Sequence, residues 1–227
     1  MKKAQQDLPF PQRGGARKGS GRKRKAPRPQ VPHRPRLEFR NAAVHVTLRV
    51  CEEVWNLRTH RCFNAIRRGF ERGCGKFGVR VIHFTVQGNH IHLIVEAADA
   101  DSLARAMKGL QVSMARALNK VMKRRGRVFA DRYHAHVLSS PVEAANAIRY
   151  VLDNWKHHAC RDGRPVPIGI DPWCSAAWSR HTPSLVREPE WWMLKVGVGK
   201  FGRLAHAASD IVPRSNPPHV PARFAAV

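Results

Sequence analysis

The clearest pattern in the chain begins at Ala42. Val44, Val46, Leu48 and Val50 alternate with His45, Thr47 and Arg49, the two-residue period of a strand with one buried face. From Glu52 to about Lys76 the period lengthens, and Val54, Leu57, Cys62, Ile66 and Phe70 mark the apolar stripe of a helix that Gly73, Gly75 and Gly78 end. Val79 to Val86 and His90 to Ala97 read as two strands joined by Gln87-Gly88-Asn89, a short connection with hairpin chemistry. A second helix is expected over Ser102 to Arg125, capped by Asp101 or Ser102, with Leu103, Met107, Leu110, Met114, Leu118 and Val121 at three- and four-residue spacing. Tyr133 to Leu138 reads as a further strand, and Pro141 to about His158 as a third helix with Pro141 in its first turn. After Ala159 the chain is rich in Pro and Trp and aperiodic, apart from a short element around Trp191 to Val196. The order strand, helix, hairpin, helix, strand, helix implies an α+β fold: a ferredoxin-like antiparallel sheet with helices packed on one face.

The first forty residues have a different texture. They hold 13 Lys and Arg against only Asp7 and Glu38, with six prolines. Such a segment buries too little apolar surface to offset its ordering entropy. The expected organisation is therefore a flexible basic arm over residues 1–41, a domain over 42–159, and an irregular extension over 160–227. The whole chain of 227 residues carries a net charge of +25, and 43% of it is hydrophobic, enough for a packed core. That charge points to a polyanionic partner, nucleic acid first, and argues against small cationic substrates. Five cysteines with no CxxC pair disfavour a zinc ribbon or a disulfide framework. No apolar run approaches the ~18–20 residues of a membrane span. With no signal-type apolar core either, the expected setting is cytoplasmic, with no membrane partner.

Three groups of residues bear chemistry. In Asn89-His90-Ile91-His92-Leu93-Ile94-Val95, strand alternation turns His90 and His92 to one face while Ile91 and Leu93 enter the core. Two adjacent imidazoles form half of a metal site, or simply two surface histidines. On the third helix Ala144, Ile148, Val151 and Trp155 form one apolar line, and Tyr150 projects from its flank with Asn154 one turn on. A lone helical tyrosine is more often a packing residue. His134-Ala135-His136 has the same strand spacing as His90 and His92, and His157-His158 is a further pair. Neither is followed by a tyrosine with an amide or acid at helical spacing, though His136 is placed to line a site.

Taken in order, NHIHLIV, the basic helix, GRVFADRYHAHVL and IRYVLDNWKHH resemble the single-tyrosine HUH transposases, most closely the REP-associated tyrosine transposase branch, over roughly Ala43 to His158. The resemblance implies Tyr150 as nucleophile and His90, His92 and Asn154 as ligands of one divalent ion. It implies Mg or Mn as that ion, where ligand softness alone also admits Zn or Ni. It further implies cleavage and rejoining of single-stranded or hairpin DNA, REP-like palindromes included, through a 5′-phosphotyrosine, by a monomer or homodimer. Arg17, Lys18, Arg22, Lys23, Arg24 and Lys25 on the arm, with Arg116, Lys120, Arg124, Arg125 and Arg127, are expected to hold DNA backbone. The alternative is a catalytically inactive, domesticated nucleic-acid-binding protein on the same fold. An RNA binder would stack bases on exposed strand aromatics, and the strands offer Phe84 and few others.

Overall fold

Alternation along four strands sets the architecture. β1 (Arg40–Arg49) is antiparallel to both β3 (His90–Asp99) and β4 (His134–Val137), and β2 (Val79–Val86) is antiparallel to β3, giving the order β2-β3-β1-β4. The crossovers are α1 (His60–Gly73) and α2 (Ala100–Val121), while α3 (Pro141–Arg161) follows β4. This computed structural model describes residues 38–73, 76–178 and 185–201. Arg17, Lys18, Arg22, Lys23, Arg24 and Lys25 of the basic arm, and the chain beyond Phe201, lie outside those residues.

Two apolar layers result. Val46 and Leu48 of β1, Phe84 of β2, and Ile91, Leu93 and Val95 of β3 face α1 and α2, where Phe70 stacks on Phe84 at 4.5 Å. Burying each such side chain stabilises the fold by about 1.5–3 kcal/mol. A smaller layer on the other face joins Ala43, Ile82 and Ile94 to Ala144 and Val151 of α3. The α+β antiparallel sheet is as expected, but helices cover both of its faces rather than one. The alternating sequence conceals this, because the second layer buries a mixture of His92, Ile94 and Glu96. A bulge between Val81 and His83 sets both Ile82 and His83 against Ile94 and keeps the rest of β2 in register.

Other boundaries differ from the sequence expectation for local reasons. α1 begins at His60 rather than Glu52, because Thr59 Oγ1 accepts from the Cys62 amide and starts the helix there. Ahead of it the chain is tied down instead: the Leu57 amide donates to Gly88 O, and the Arg58 guanidinium to Val86 O. Val54 and Leu57 are buried all the same, so an ordered loop supplied part of the stripe read as helix. The cap of α2 is Asp99, whose Oδ1 accepts from Ser102 N at 2.6 Å, rather than Asp101 or Ser102. α2 stops at Val121 because Lys123 and Gly126 take positive φ, 50° and 102°. Ser140 caps α3 and Pro141 occupies its first turn.

The segment after α3 is attached to the sheet. Buried Asp171 takes a bidentate ion pair from Arg58 at 2.8 and 2.9 Å, and Trp173 lies against Phe63 and His60. Buried Glu96 accepts from the Arg80 guanidinium and from the amides of Glu190 and Trp191. Beyond it, a π-helical turn (Met193–Gly197) and the short helix Val198–Phe201 bring Leu194 into the layer beneath α3.

Candidate active site

The second sheet face is rich in histidine. His45 and Thr47 of β1 lie beside His92 in the β1–β3 register, and all three share the α3 side of the sheet with His90. His92 is 6% exposed, and its Nδ1 lies 3.1 Å from both His45 Nε2 and Thr47 Oγ1. His90 Nδ1 is hydrogen-bonded to Asn89 Oδ1 at 2.7 Å. The His90 and His92 rings are 4.7 Å apart, centroid to centroid.

α3 crosses this face with Tyr150, Asn154 and His158 on one ridge, each a helical turn from the next. The Tyr150 ring meets His92 edge-on at 5.4 Å and His45 at 6.0 Å, and His158 lies 5.6 Å from His90. Asn154 lies on the helix between these two contacts. It is 1% exposed, and the buried line of α3 runs through Ala144, Val151 and Asn154, with Trp155 only half-buried. Two buried atoms here have no hydrogen-bond partner: His92 Nε2 and Asn154 Oδ1. Leaving a buried polar atom unpaired costs about 1–3 kcal/mol, so each calls for an explanation. Tyr150, by contrast, is 36% exposed, open to an incoming substrate.

The site favours neutral imidazoles. Burial draws His90 down to about 4, with His158, Arg49 and Arg161 adding to the effect. His45 also falls to about 4, first by burial and then through His134 and His136. His92 lies well below the ordinary imidazole range, from burial and the company of His90, His45 and His158. At neutral pH these rings offer lone pairs rather than charge, as ion ligands must. No group of three His, Cys, Asp or Glu side chains among the described residues has the arrangement to hold an ion. The Asn154 amide oxygen is a buried oxygen without a partner on the helix that covers this face.

The structure thus brings the His90, His92 and Tyr150 rings together, with Asn154 buried one helical turn after Tyr150. It also adds His45, Thr47, Arg49 and Arg161, which sequence reasoning passed over, and His158, which it ranked behind His90 and His92. The alternation of β1 already put His45 and Thr47 on one face; what the sequence lacked was the register that sets that face beside His92. His136 pairs instead with Glu143 at 2.6 Å, and Tyr133 packs against the larger core. The predicted basic residues are elsewhere. α2 covers the opposite face of the sheet, with Arg116 and Lys120 on its outer side. Arg124, Arg125 and Arg127 belong to the turn leading to the edge strand β4, where Arg127 Nε donates to Phe129 O at 2.7 Å. Beside that turn a groove of about 490 Å³ is lined by Arg105, Lys108, Arg127 and Arg132 over Val128 and Phe129. No helix among the described residues is long and apolar enough to cross a membrane.

Residues 38–154 match the family described as "Transposase IS200 like". Among solved structures the chain is similar to a REP-associated tyrosine transposase bound to a REP hairpin, with a TM-score of 0.51 and 12% identity. That similarity covers 71% of this chain and 91% of the other, and it establishes likeness of fold. A candidate transposase from Deinococcus radiodurans R1 aligns with a TM-score of 0.38 and 12% identity, over 59% of this chain and 98% of its own. No curated protein matches the chain.

Proposed function

The chain belongs to the IS200-like transposase family of DNA-processing enzymes, and from that premise we propose that it nicks and rejoins DNA with Tyr150 as nucleophile. The observation that carries this reading is the pair of buried, unpartnered atoms, His92 Nε2 and Asn154 Oδ1, next to a half-exposed tyrosine. The large majority of buried polar atoms are paired, so two left open beside the same tyrosine call for a ligand. Two neutral imidazoles and an amide oxygen suit a divalent ion, and His90, His92 and Asn154 are the residues that would hold it. Bound there, Mg²⁺ or Mn²⁺ supplies Lewis-acid polarisation of the scissile phosphate.

The remaining work falls to the chain's own residues. The Tyr150 oxygen attacks phosphorus, and the P–O3′ bond breaks as the new P–O bond forms. The phenol proton ends on the released 3′-hydroxyl. The product is a 5′-phosphotyrosine, and because one phosphodiester is exchanged for another, rejoining needs no ATP. The ring packing against His92 and His45 limits where the phenol can swing, which supplies orientation for in-line attack. Arg49 and Arg161, close enough to bear on His90, place positive charge where a phosphate would enter. The groove cations Arg105, Lys108, Arg127 and Arg132 and the outer face of α2, Arg116 and Lys120, hold flanking backbone, with Arg124 and Arg125 at the turn. The arm residues Arg17, Lys18, Arg22, Lys23, Arg24 and Lys25 extend that grip, and residues 42–159 form the catalytic unit. The hairpin bound by the solved neighbour makes hairpin-bearing single strands the first substrate to test.

The test is a covalent adduct on such an oligonucleotide labelled 3′ of the nick, with Mg²⁺ or Mn²⁺ and with chelator. Wild-type protein forms the adduct only with the ion present. Tyr150→Phe loses it and keeps DNA binding, whereas Tyr133→Phe retains it. An adduct that persists in Tyr150→Phe would falsify the assignment.

A further inference from the structure

His92 is the member of the site whose ring is held from β1. Its Nδ1 is 3.1 Å from Thr47 Oγ1 and 3.1 Å from His45 Nε2, on the side of the ring away from the unpartnered Nε2. Thr47 and His92 are directly opposed in the β1–β3 register, and His45 is two residues along the same strand face, so both placements are set by backbone pairing. We propose that Thr47 and His45 are positioning residues that hold His92 as its Nδ1–H tautomer and keep its Nε2 lone pair turned towards α3.

A neutral imidazole carries one N–H and one lone pair. Nε2 is unpartnered in either tautomer, at a cost of about 1–3 kcal/mol. An ion relieves only a lone pair there, whereas a proton on Nε2 would be a buried donor that no ion can take. On Nδ1 it has two acceptors within reach, a hydroxyl oxygen and the His45 Nε2 lone pair. The second of these also settles His45, which must then carry its own proton on Nδ1. Two partners on different side chains fix the plane of the His92 ring as well as its tautomer, as outer partners of ligand histidines do. His90 is held differently, by Asn89 Oδ1 from the turn preceding its own strand. The inference rests on the proposed ion site for its purpose, but the tautomer exists in the protein without any ion and is measured there.

The experiment uses the full-length, ion-free protein and long-range ¹H–¹⁵N correlation of the histidine rings. His92 is expected as Nδ1–H in the wild type and in Thr47→Ser, which keeps the hydroxyl. In the double variant Thr47→Val, His45→Phe both acceptors are gone. His92 is then expected as a mixture of tautomers, in a protein whose circular dichroism and melting show it folded. Mn²⁺ titration followed by electron paramagnetic resonance gives the second readout: dissociation constants about 10–100-fold weaker in the double variant, and restored towards wild type when Thr47 alone is kept. An Nε2–H tautomer in the wild type, or a folded double variant that retains Nδ1–H, overturns the proposal. If that double variant is unfolded, Thr47→Ala, His45→Leu removes the same two acceptors with smaller side chains and carries the same comparison. Wild-type protein with the expected tautomer and no Mn²⁺ binding supports the positioning of His92 and overturns the ion reading instead, so the two failures are told apart.

Discussion

At the level of single residues, Asn154 is the informative one. An amide oxygen buried at 1% exposure without a partner is a cost that an apolar residue of similar size would not carry. Asn154→Leu is therefore expected to raise stability, by about 1 kcal/mol in urea unfolding, while abolishing Mn²⁺ binding and adduct formation. If the variant is destabilised and still binds Mn²⁺, the amide is an ordinary core residue. The Tyr150–Asn154 spacing was legible in the sequence because a helical turn is a local geometric fact. The burial of Asn154 was not, since the apolar line drawn through Trp155 placed the amide on the helix flank.

Elements show how residue patterns mislead and where they hold. α1 and α2 lie close enough that a Cβ at Gly69 would come within 2.6 Å of Met114 Cγ, and one at Gly73 within 3.1 Å of Leu110 Cδ1. Gly69→Ala gains roughly 1 kcal/mol of helix propensity. It must also push the helices apart, so a net loss of about 1–2 kcal/mol is expected in thermal unfolding. An unchanged or higher melting temperature would show that Met114 yields freely. The β strands were the most legible elements, and β2 and the start of β3 fall where alternation placed them. The start of α1 was not legible: Val54 and Leu57 are buried by a loop, and burial without helix leaves the same apolar spacing in the sequence.

Across the whole molecule, charge and histidine burial set the response to solution conditions. His45 and His83 are each held near 4 by burial, and burial also holds His92 well below the ordinary imidazole value. Their unfolded values are near 6.5, so the unfolded chain binds more protons between about pH 6.5 and 4, and stability falls as pH drops through that window. At pH 5 the loss is about 2 kcal/mol for each of His45 and His83 relative to about pH 7.5. The urea midpoint should fall accordingly, and a flat profile over that range would mean the rings are not buried as described. The basic arm acts at the same scale. Deleting residues 1–40, which carry +11 of the +25, is expected to weaken DNA binding. Its salt dependence should fall by ~0.7–0.9 for each phosphate the arm no longer neutralises. An unchanged slope would place the arm away from DNA.

The facts legible along the chain are local ones. The shared face of His90 and His92 follows from a period of two, the Tyr150–Asn154 pair from a period of 3.6, and the affinity for polyanions from net charge. What those faces meet was settled only in three dimensions. The β1–β3 register sets Thr47 and His45 against His92, and the passage of α3 over the second sheet face puts Tyr150 against the histidines and buries Asn154. Glu96, a lone acid in an apolar strand, is buried because the Arg80 guanidinium and the Glu190 and Trp191 amides converge on it from residues 16 and 94–95 positions away. Periodicity is a property of neighbours along the chain. Which side of a sheet is covered, and by what, depends on interactions between distant residues whose energies no local window contains.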